Sequence, residues 1–220
     1  MQIKYLGHSA FEIQTTHGNI LIDPFISINP NYIPQNIVDI FVTHGHSDHL
    51  GSAIEISREQ RSTITAVFEL ANYCQSKGGI ANGISLGGKI QYPWGWAVFM
   101  PAFHSSSTPD GNYAGCPASI VLNIEGVTLF HAGDTCLHSE MKIIKELYTP
   151  DIAFLPIGGH FTMDIEQATI AAKWLGSTTV IPMHYNTFPL INASPEILKN
   201  ILAEDNINVE ILNINQSLKL

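Results

Sequence analysis

Four side chains that can bind a metal ion stand within six positions in the segment Thr-His-Gly-His-Ser-Asp-His-Leu at residues 43–50. They are His44, His46, Asp48 and His49. Neither a helix nor a strand directs all four at one point, because each places only some of them on a common face. A loop that leaves a strand and enters a helix can direct two imidazoles at one ion, and a carboxylate with an imidazole at a second. Gly45 and Ser47 are the small residues that such a tight loop needs.

Two other interpretations of this segment are a solvated polar loop and a structural metal site. The segment directly follows an apolar run, a position where chance rarely produces the pattern HxHxDH. Structural zinc sites favour cysteine and fill all four positions with protein ligands. The three cysteines, Cys74, Cys116 and Cys136, lie elsewhere in the chain. The segment therefore predicts a catalytic metal site.

The segment resembles the hallmark of the metallo-β-lactamase superfamily, and later motifs agree with that family in order. Met-Pro-Ala-Phe-His-Ser carries His104, Phe-His-Ala-Gly-Asp-Thr carries Asp134, and Ile-Pro-Met-His-Tyr carries His184. Gly-His-Ser-Ala-Phe-Glu-Ile near the start and Leu-Ile-Asp-Pro at 21–24 are similar to small single-domain metal-dependent hydrolases related to ascorbate-6-phosphate lactonase. Gly-His-Phe-Thr-Met-Asp at 159–164 and Met-His-Tyr-Asn-Thr-Phe-Pro at 183–189 fit the same subgroup. The resemblance covers nearly the whole chain.

This resemblance implies a binuclear metal site and a role for each ligand. The first ion would be held by His44, His46 and His104, the second by Asp48, His49 and His184, and Asp134 would bridge the two ions. Such histidine-rich sites suit two divalent ions, zinc first, with manganese, iron or nickel as alternatives. Two ions about 3.5–4 Å apart can generate hydroxide and stabilise a leaving oxygen. Asp48 would orient the hydroxide or accept its proton.

The residues themselves give a separate reason to group these distant segments. His44, His104, Asp134 and His184 each fall just past an apolar run that predicts a strand. Side chains at the strand ends of one sheet edge converge on a cleft rather than on the core. We therefore expect one site built from strand ends.

Four further residues have two interpretations each. His8 is expected near the site, either touching metal or substrate or supporting a ligand. His160 follows two glycines at a strand end, which suits a catalytic pocket residue, although a helix-entry residue is the alternative. Asp23 could accept a hydrogen bond from a ligand imidazole or simply form a turn before Pro24. His131 is expected to be a core residue or a support for a ligand.

The order of predicted elements indicates an α/β (α+β) fold. Strands cluster early and then alternate with helices, which favours an αββα four-layer sandwich of two mixed sheets packed face to face with helices outside. We expect a single domain over residues 1–220. Helix start signals appear at Asp164, with Gln167 at the capping-box offset, and at Ser194-Pro195. An irregular Ser- and Gly-rich stretch near 104–117 is expected to form a pocket wall or a plain surface loop.

Composition limits the class of protein and its partners. Hydrophobic residues make up 45% and charged residues 13% of the 220 residues, which indicates a compact globular chain. The net charge of −9 argues against a nucleic-acid partner and leaves a small-molecule substrate, including an anionic one, since divalent ions would make the pocket locally positive. No signal peptide or membrane span is evident, so we expect a cytoplasmic location. A homo-oligomer is left open.

The leading function is a metal-dependent hydrolase acting on a small ester, lactone or phosphodiester. A di-iron redox or oxygen-handling protein of the same architecture is one alternative, but flavin-coupled members carry Glu where this chain has His46 and add a flavodoxin module. An RNA-processing nuclease is a second alternative, but it would need an RNA-gripping insertion, and this chain has only 10 Lys and Arg. A metal-binding scaffold without activity is the third.

Overall fold

The computed structural model describes residues 1–220 and contains two seven-stranded mixed sheets. The first sheet has the strand order β14-β1-β2-β3-β4-β5-β6. Its strands span Gln2–Gly7 (β1), Ala10–Thr15 (β2), Gly18–Ile22 (β3), Ile37–Phe41 (β4), Thr63–Val67 (β5), Ala81–Ile84 (β6) and Ser217–Lys219 (β14). β1, β2 and β3 pair antiparallel, whereas β3 to β6 pair parallel. The carboxyl ends of β1, β3 and β4 therefore lie at the same edge of this sheet.

The second sheet has the order β13-β12-β11-β10-β9-β8-β7. Its strands span Lys89–Tyr92 (β7), Gly95–Pro101 (β8), Ala118–Ile124 (β9), Val127–His131 (β10), Ile152–Pro156 (β11), Thr179–Met183 (β12) and Asn208–Val209 (β13). β10, β11 and β12 pair parallel. β11 reads Ile-Ala-Phe-Leu-Pro and is buried along its whole length, as expected for a parallel strand covered on both faces.

Six α-helices accompany the sheets. They span Ser47–Leu50 (α1), Ala53–Gln60 (α2), Phe68–Ser76 (α3), Glu140–Tyr148 (α4), Ile165–Leu175 (α5) and Pro195–Ala203 (α6). Short 3-10 helices cover Ile26–Ile28 and Pro189–Ile191. None of these helices combines the length and the apolar character that crossing a membrane requires.

The start of α5 shows how local sequence sets a helix boundary. Asp164 Oδ1 accepts a hydrogen bond from the backbone N–H of Gln167 at 2.9 Å, and the helix ends at Gly176 in the left-handed conformation. The predicted capping box is only half formed, because the Gln167 side chain turns away and accepts a hydrogen bond from the Leu137 N–H at 3.1 Å. Pro195 stands at the start of α6, as predicted.

The predicted fold class, two mixed sheets with helices, is confirmed. The chain forms two compact units, each containing one sheet. The first unit comprises Met1–Gly88, Ser105–Pro117 and Leu212–Leu220, and the second comprises Lys89–His104 and Ala118–Ile211. A single domain over residues 1–220 stays a prediction. β6 and β14 were not predicted from the sequence.

Candidate metal centre

The predicted metal-binding segment lies where the chain leaves β4 and enters α1, as the sequence predicts. β4 ends at Phe41, and α1 begins at Ser47. His8 follows β1, and Asp23 follows β3. Because these three strands end at one edge of the first sheet, their loops bring these side chains together within the first unit.

Asp23 organises this first cluster. Its carboxylate is fully buried and accepts hydrogen bonds from the Thr43 N–H at 2.8 Å, the Thr43 hydroxyl at 2.7 Å and His49 Nδ1 at 2.6 Å. A buried carboxylate needs such donors, because burying a charge without them is very costly. With its proton on Nδ1, the His49 ring presents the lone pair of Nε2 to a metal ion. The structure thus supports the interpretation of Asp23 as a partner of a ligand imidazole.

The same network sets the orientation of His44. The single Thr43 hydroxyl proton goes to Asp23, so the Thr43 oxygen accepts from His44 Nδ1, 3.0 Å away. His44 Nε2 then carries the lone pair of the ring, and it lies 3.0 Å from His46 Nδ1. Two nitrogens bound to one tetrahedral zinc ion are separated by about 3.3 Å, given Zn–N distances of about 2.0–2.1 Å. The 3.0 Å between the His44 and His46 nitrogens, a hydrogen-bond distance in this structure, is close to that separation.

A second set of donors lies beside the first. His8, Asp48 and His49 each offer a ligand atom within 4.8 Å of those of the other two. His8 Nε2 is 3.1 Å from Asp48 Oδ2, so a protonated Nε2 donates to the carboxylate. The His8 side chain is fully buried, whereas 26% of the Asp48 side chain is exposed. The Asp48 side chain is therefore partly exposed to solvent, and the buried His8 ring fixes the orientation of its carboxylate.

The second unit carries its own donor cluster at the carboxyl ends of β8, β10 and β12. Asp134 Oδ2 lies 3.4 Å from His104 Nε2 and 3.2 Å from His184 Nε2. Asp134 and His184 are buried, and 15% of the His104 side chain is exposed. One carboxylate oxygen thus faces two imidazole nitrogens, a geometry that suits a bridging ligand.

Backbone contacts hold the segments of this second cluster in place. The Phe103 N–H donates to Thr135 Oγ1 at 3.0 Å, which ties the neighbour of His104 to the neighbour of Asp134. Gly158 lets the chain pass close to His184, because a Cβ at this position would lie 2.3 Å from the His184 carbonyl oxygen. Both contacts join segments that are far apart in sequence.

Several residues of these clusters adopt positive φ angles, which non-glycine residues rarely do. The angles are 57° at His8, 44° at Asp23 and 53° at His184. Such backbone conformations cost free energy and concentrate at functional sites, where the surrounding structure maintains them. No sequence motif signals these angles, so sequence reasoning missed them.

Neither His160 nor His131 belongs to these groups of donors. Gly159 and His160 both have positive φ, and the turn is closed by the Gly159 N–H donating to the Met163 carbonyl at 3.0 Å. This turn leaves the His160 ring exposed and in edge contact with Phe161. His131 is buried in β10, and its Nδ1 accepts from the Gly133 N–H at 3.2 Å. The structure supports a packing role for His131.

The donor chemistry of both clusters fits divalent transition metals. The donors are imidazole nitrogens and carboxylate oxygens, which suit zinc, manganese, iron and nickel. Cys136 stands two residues past Asp134, is exposed, and is followed shortly by α4. His138 packs its ring 4.8 Å from that of Phe103, and burial lowers the pKa of the His138 imidazole.

Comparisons with known proteins agree with this chemistry. The family model of the Beta-lactamase superfamily domain matches residues 2–184. A UPF0173 metal-dependent hydrolase of Staphylothermus marinus is 47% identical over 212 residues, covering 91% of this chain and 90% of that protein. A UPF0173 metal-dependent hydrolase of Methanobrevibacter smithii is 46% identical over 226 residues, covering 98% of this chain and 94% of that protein.

A solved structure agrees over nearly the full length. Igni18, a metallo hydrolase from Ignicoccus hospitalis, superposes with a TM-score of 0.89 at 36% identity, covering 99% of this chain and 97% of that chain. The chain therefore belongs to the β-lactamase superfamily and, within it, to the UPF0173 metal-dependent hydrolases. The predicted family is confirmed.

The Asp23 network predicts a loss of both stability and metal affinity in Asp23→Asn. The amide turns one acceptor into a donor, so one of the three buried donors loses its partner. We expect the free energy of unfolding in chelator to fall by about 2–3 kcal/mol and zinc affinity to fall about 10- to 100-fold. Urea unfolding and zinc competition titration measure the two effects.

Asp205→Asn is the matched control, since Asp205 makes a surface ion pair with Lys173 at 2.8 Å and such pairs contribute little. Equal stability and equal zinc affinity for the two variants would contradict the role given to Asp23.

Proposed function

We propose that the chain hydrolyses a small ester, lactone or phosphodiester at a binuclear metal centre. Its ligands would be His44, His46, Asp48, His49, His104, Asp134 and His184. The observation that carries this proposal is the donor set itself: each unit gathers imidazoles and a carboxylate at strand ends. In the first unit, the bonds to Asp23 and Thr43 also orient the His44 and His49 rings. When bound, a pair of divalent ions would lower the pKa of water and stabilise the leaving oxygen.

We propose that the ligands are divided between two ions, as the family resemblance implies, and the spacing within the first unit supports this division. His44 and His46 place their nitrogens 3.0 Å apart and would share the first ion. Asp48 and His49 belong to the neighbouring set and would serve the second ion. Asp134, whose Oδ2 faces both His104 and His184, would reduce the repulsion between the two cations.

Asp48 is the group that we assign to proton transfer. Of the two carboxylates in the first cluster, Asp23 is fully enclosed by donors, whereas Asp48 reaches solvent. The hydrogen bond between His8 Nε2 and Asp48 Oδ2 orients the Asp48 carboxylate. We propose that His8 acts through Asp48 in this way, and that Asp48 accepts a proton from the attacking water.

The substrate class is proposed from charge and composition. Two divalent ions would attract a carboxylate or phosphate group to the centre, although the chain has a net charge of −9. With 10 Lys and Arg in total, the chain has few groups to hold a polynucleotide backbone. A small anionic molecule is therefore the proposed partner.

Asp48→Asn tests the proposed reaction. The amide keeps the shape of the side chain and removes the proton acceptor, so we expect turnover to fall about 100-fold or more. The assay uses protein reconstituted separately with zinc, manganese and iron, screened on ester, lactone and phosphodiester substrates. Elemental analysis of the same samples should approach two metal ions per chain.

Glu55→Gln is the control for charge removal, because Glu55 is exposed near the start of α2. Parental turnover in an Asp48→Asn protein with full metal content would refute the role of Asp48. A metal-loaded parent without activity on any substrate class would refute the proposed substrates.

We also propose that His160 contacts the substrate or stabilises developing negative charge. Two observations support this role. The His160 imidazole is exposed on a tight turn that follows β11, and β11 lies between β10 and β12, the strands that precede Asp134 and His184. Removing one such donor costs about 2–4 kcal/mol of transition-state stabilisation. His160→Ala should therefore lose turnover while keeping its metal content and melting temperature.

His17→Ala is the matched control, since His17 is an exposed histidine in the β2–β3 hairpin. If His160→Ala loses stability while turnover per folded molecule stays unchanged, His160 is a structural residue.

A further inference from the structure

Gly45, the residue between His44 and His46, is contacted by a distant segment of the first unit. Its backbone N–H donates to Ser106 Oγ at 3.2 Å. No metal-ligand role falls to Ser106, and the family resemblance does not include it. The hydrogen bond nevertheless fixes the His44–Gly45 peptide, which lies in the short segment that joins two proposed ligands of one ion.

The approach at Gly45 is closer than any other residue type would allow. A Cβ at this position would lie 2.5 Å from Ala114 Cβ and 2.9 Å from the Ser107 carbonyl oxygen. Glycine is needed here because of this packing, whatever its backbone angles. Ser107 and Ala114 thus pack directly against the backbone of the predicted metal-binding loop at Gly45.

Ser106, Ser107 and Ala114 belong to a small hairpin over residues 106–114. Ser107 and Tyr113 form an antiparallel bridge, and the Ala114 N–H donates to the Ser106 carbonyl at 3.3 Å. At the tip, the Thr108 N–H donates to the Asn112 carbonyl at 2.8 Å. This stretch therefore forms an ordered hairpin, although its composition predicts an irregular segment.

The 106–114 hairpin is attached to the rest of the first unit at its tip and just beyond its end. Asp110 pairs with Lys77 at 3.2 Å, next to the end of α3, and the hydrogen bond from the Thr108 hydroxyl lowers the pKa of Asp110 to about 2. Gly115 packs closely too, because a Cβ there would lie 2.5 Å from Glu69 Oε2. These attachments fix the position of Ser106 relative to Gly45.

We propose that Ser106 is a positioning residue that holds the His44–Gly45 peptide, and with it the backbone between His44 and His46, in the geometry for binding the first metal ion. The inference rests on the proposed function, and it adds a residue that supports metal binding through the backbone rather than through an imidazole. A loop held in its bound conformation loses less conformational freedom on binding, so affinity rises. Partners that orient metal ligands typically change affinity by about 10- to 100-fold.

Stepwise zinc titration against a competing chelator tests the role of Ser106, with Co²⁺ absorption spectroscopy as a second readout. Ser106→Ala should weaken one of the two zinc-binding steps about tenfold and leave the other step unchanged. The melting temperature of the chelator-treated protein should stay at the parental value. Ser105→Ala is the matched control, because Ser105 is an exposed neighbour. Gly45→Ala, which inserts the excluded Cβ, should weaken the same step more strongly.

The outcomes separate this inference from the proposed function. Parental zinc affinity and an unchanged Co²⁺ spectrum in Ser106→Ala would overturn the inference and leave the binuclear centre intact. Equal weakening of both steps together with a lower melting temperature would also overturn it, since Ser106 would then be a general stability residue. A parent protein that binds none of zinc, cobalt, manganese and iron would refute the proposed function, and this inference with it.

Discussion

The first donor cluster depends on the hydrogen bonds that the buried Asp23 carboxylate accepts. A charge with no exposure to water is tolerated only where several donors surround it, and here Thr43 supplies two and His49 supplies one. These bonds join the loop after β3 to the loop after β4. They also determine which nitrogen of His44 and of His49 carries the proton. The hydrogen bonds to this one carboxylate thus determine which ring nitrogens the segment would offer to a metal ion.

The strand ends explain why such a cluster can form at all. Apolar strands supply a rigid frame, and the loops that follow them carry the polar side chains at a common edge. The same design recurs in the second unit, where Asp134 and His184 follow strands separated only by β11. His8, Asp23 and His184 have positive φ angles, so their backbone is locally strained, and the surrounding structure maintains these conformations.

Sequence reasoning predicted the parts that depend on short-range patterns. Apolar runs located most strands, and the HxHxDH spacing predicted a loop between a strand and a helix, as found at Phe41 and Ser47. It missed β6 and β14, because Ala-Asn-Gly-Ile and Ser-Leu-Lys are short and lack a clear alternation. It also missed partnerships across long separations, such as His8 with Asp48 and Gly45 with Ser106. Those contacts depend on tertiary structure, which no local pattern encodes.

The binuclear centre can be tested by anomalous diffraction at the zinc edge, from crystals of protein reconstituted with zinc. We predict two peaks, each about 2.0–2.2 Å from its ligand atoms. One peak should be bound by His44, His46 and His104, and the other by Asp48, His49 and His184, with Asp134 touching both. A single peak, or peaks far from both His104 and His184, would contradict the binuclear centre.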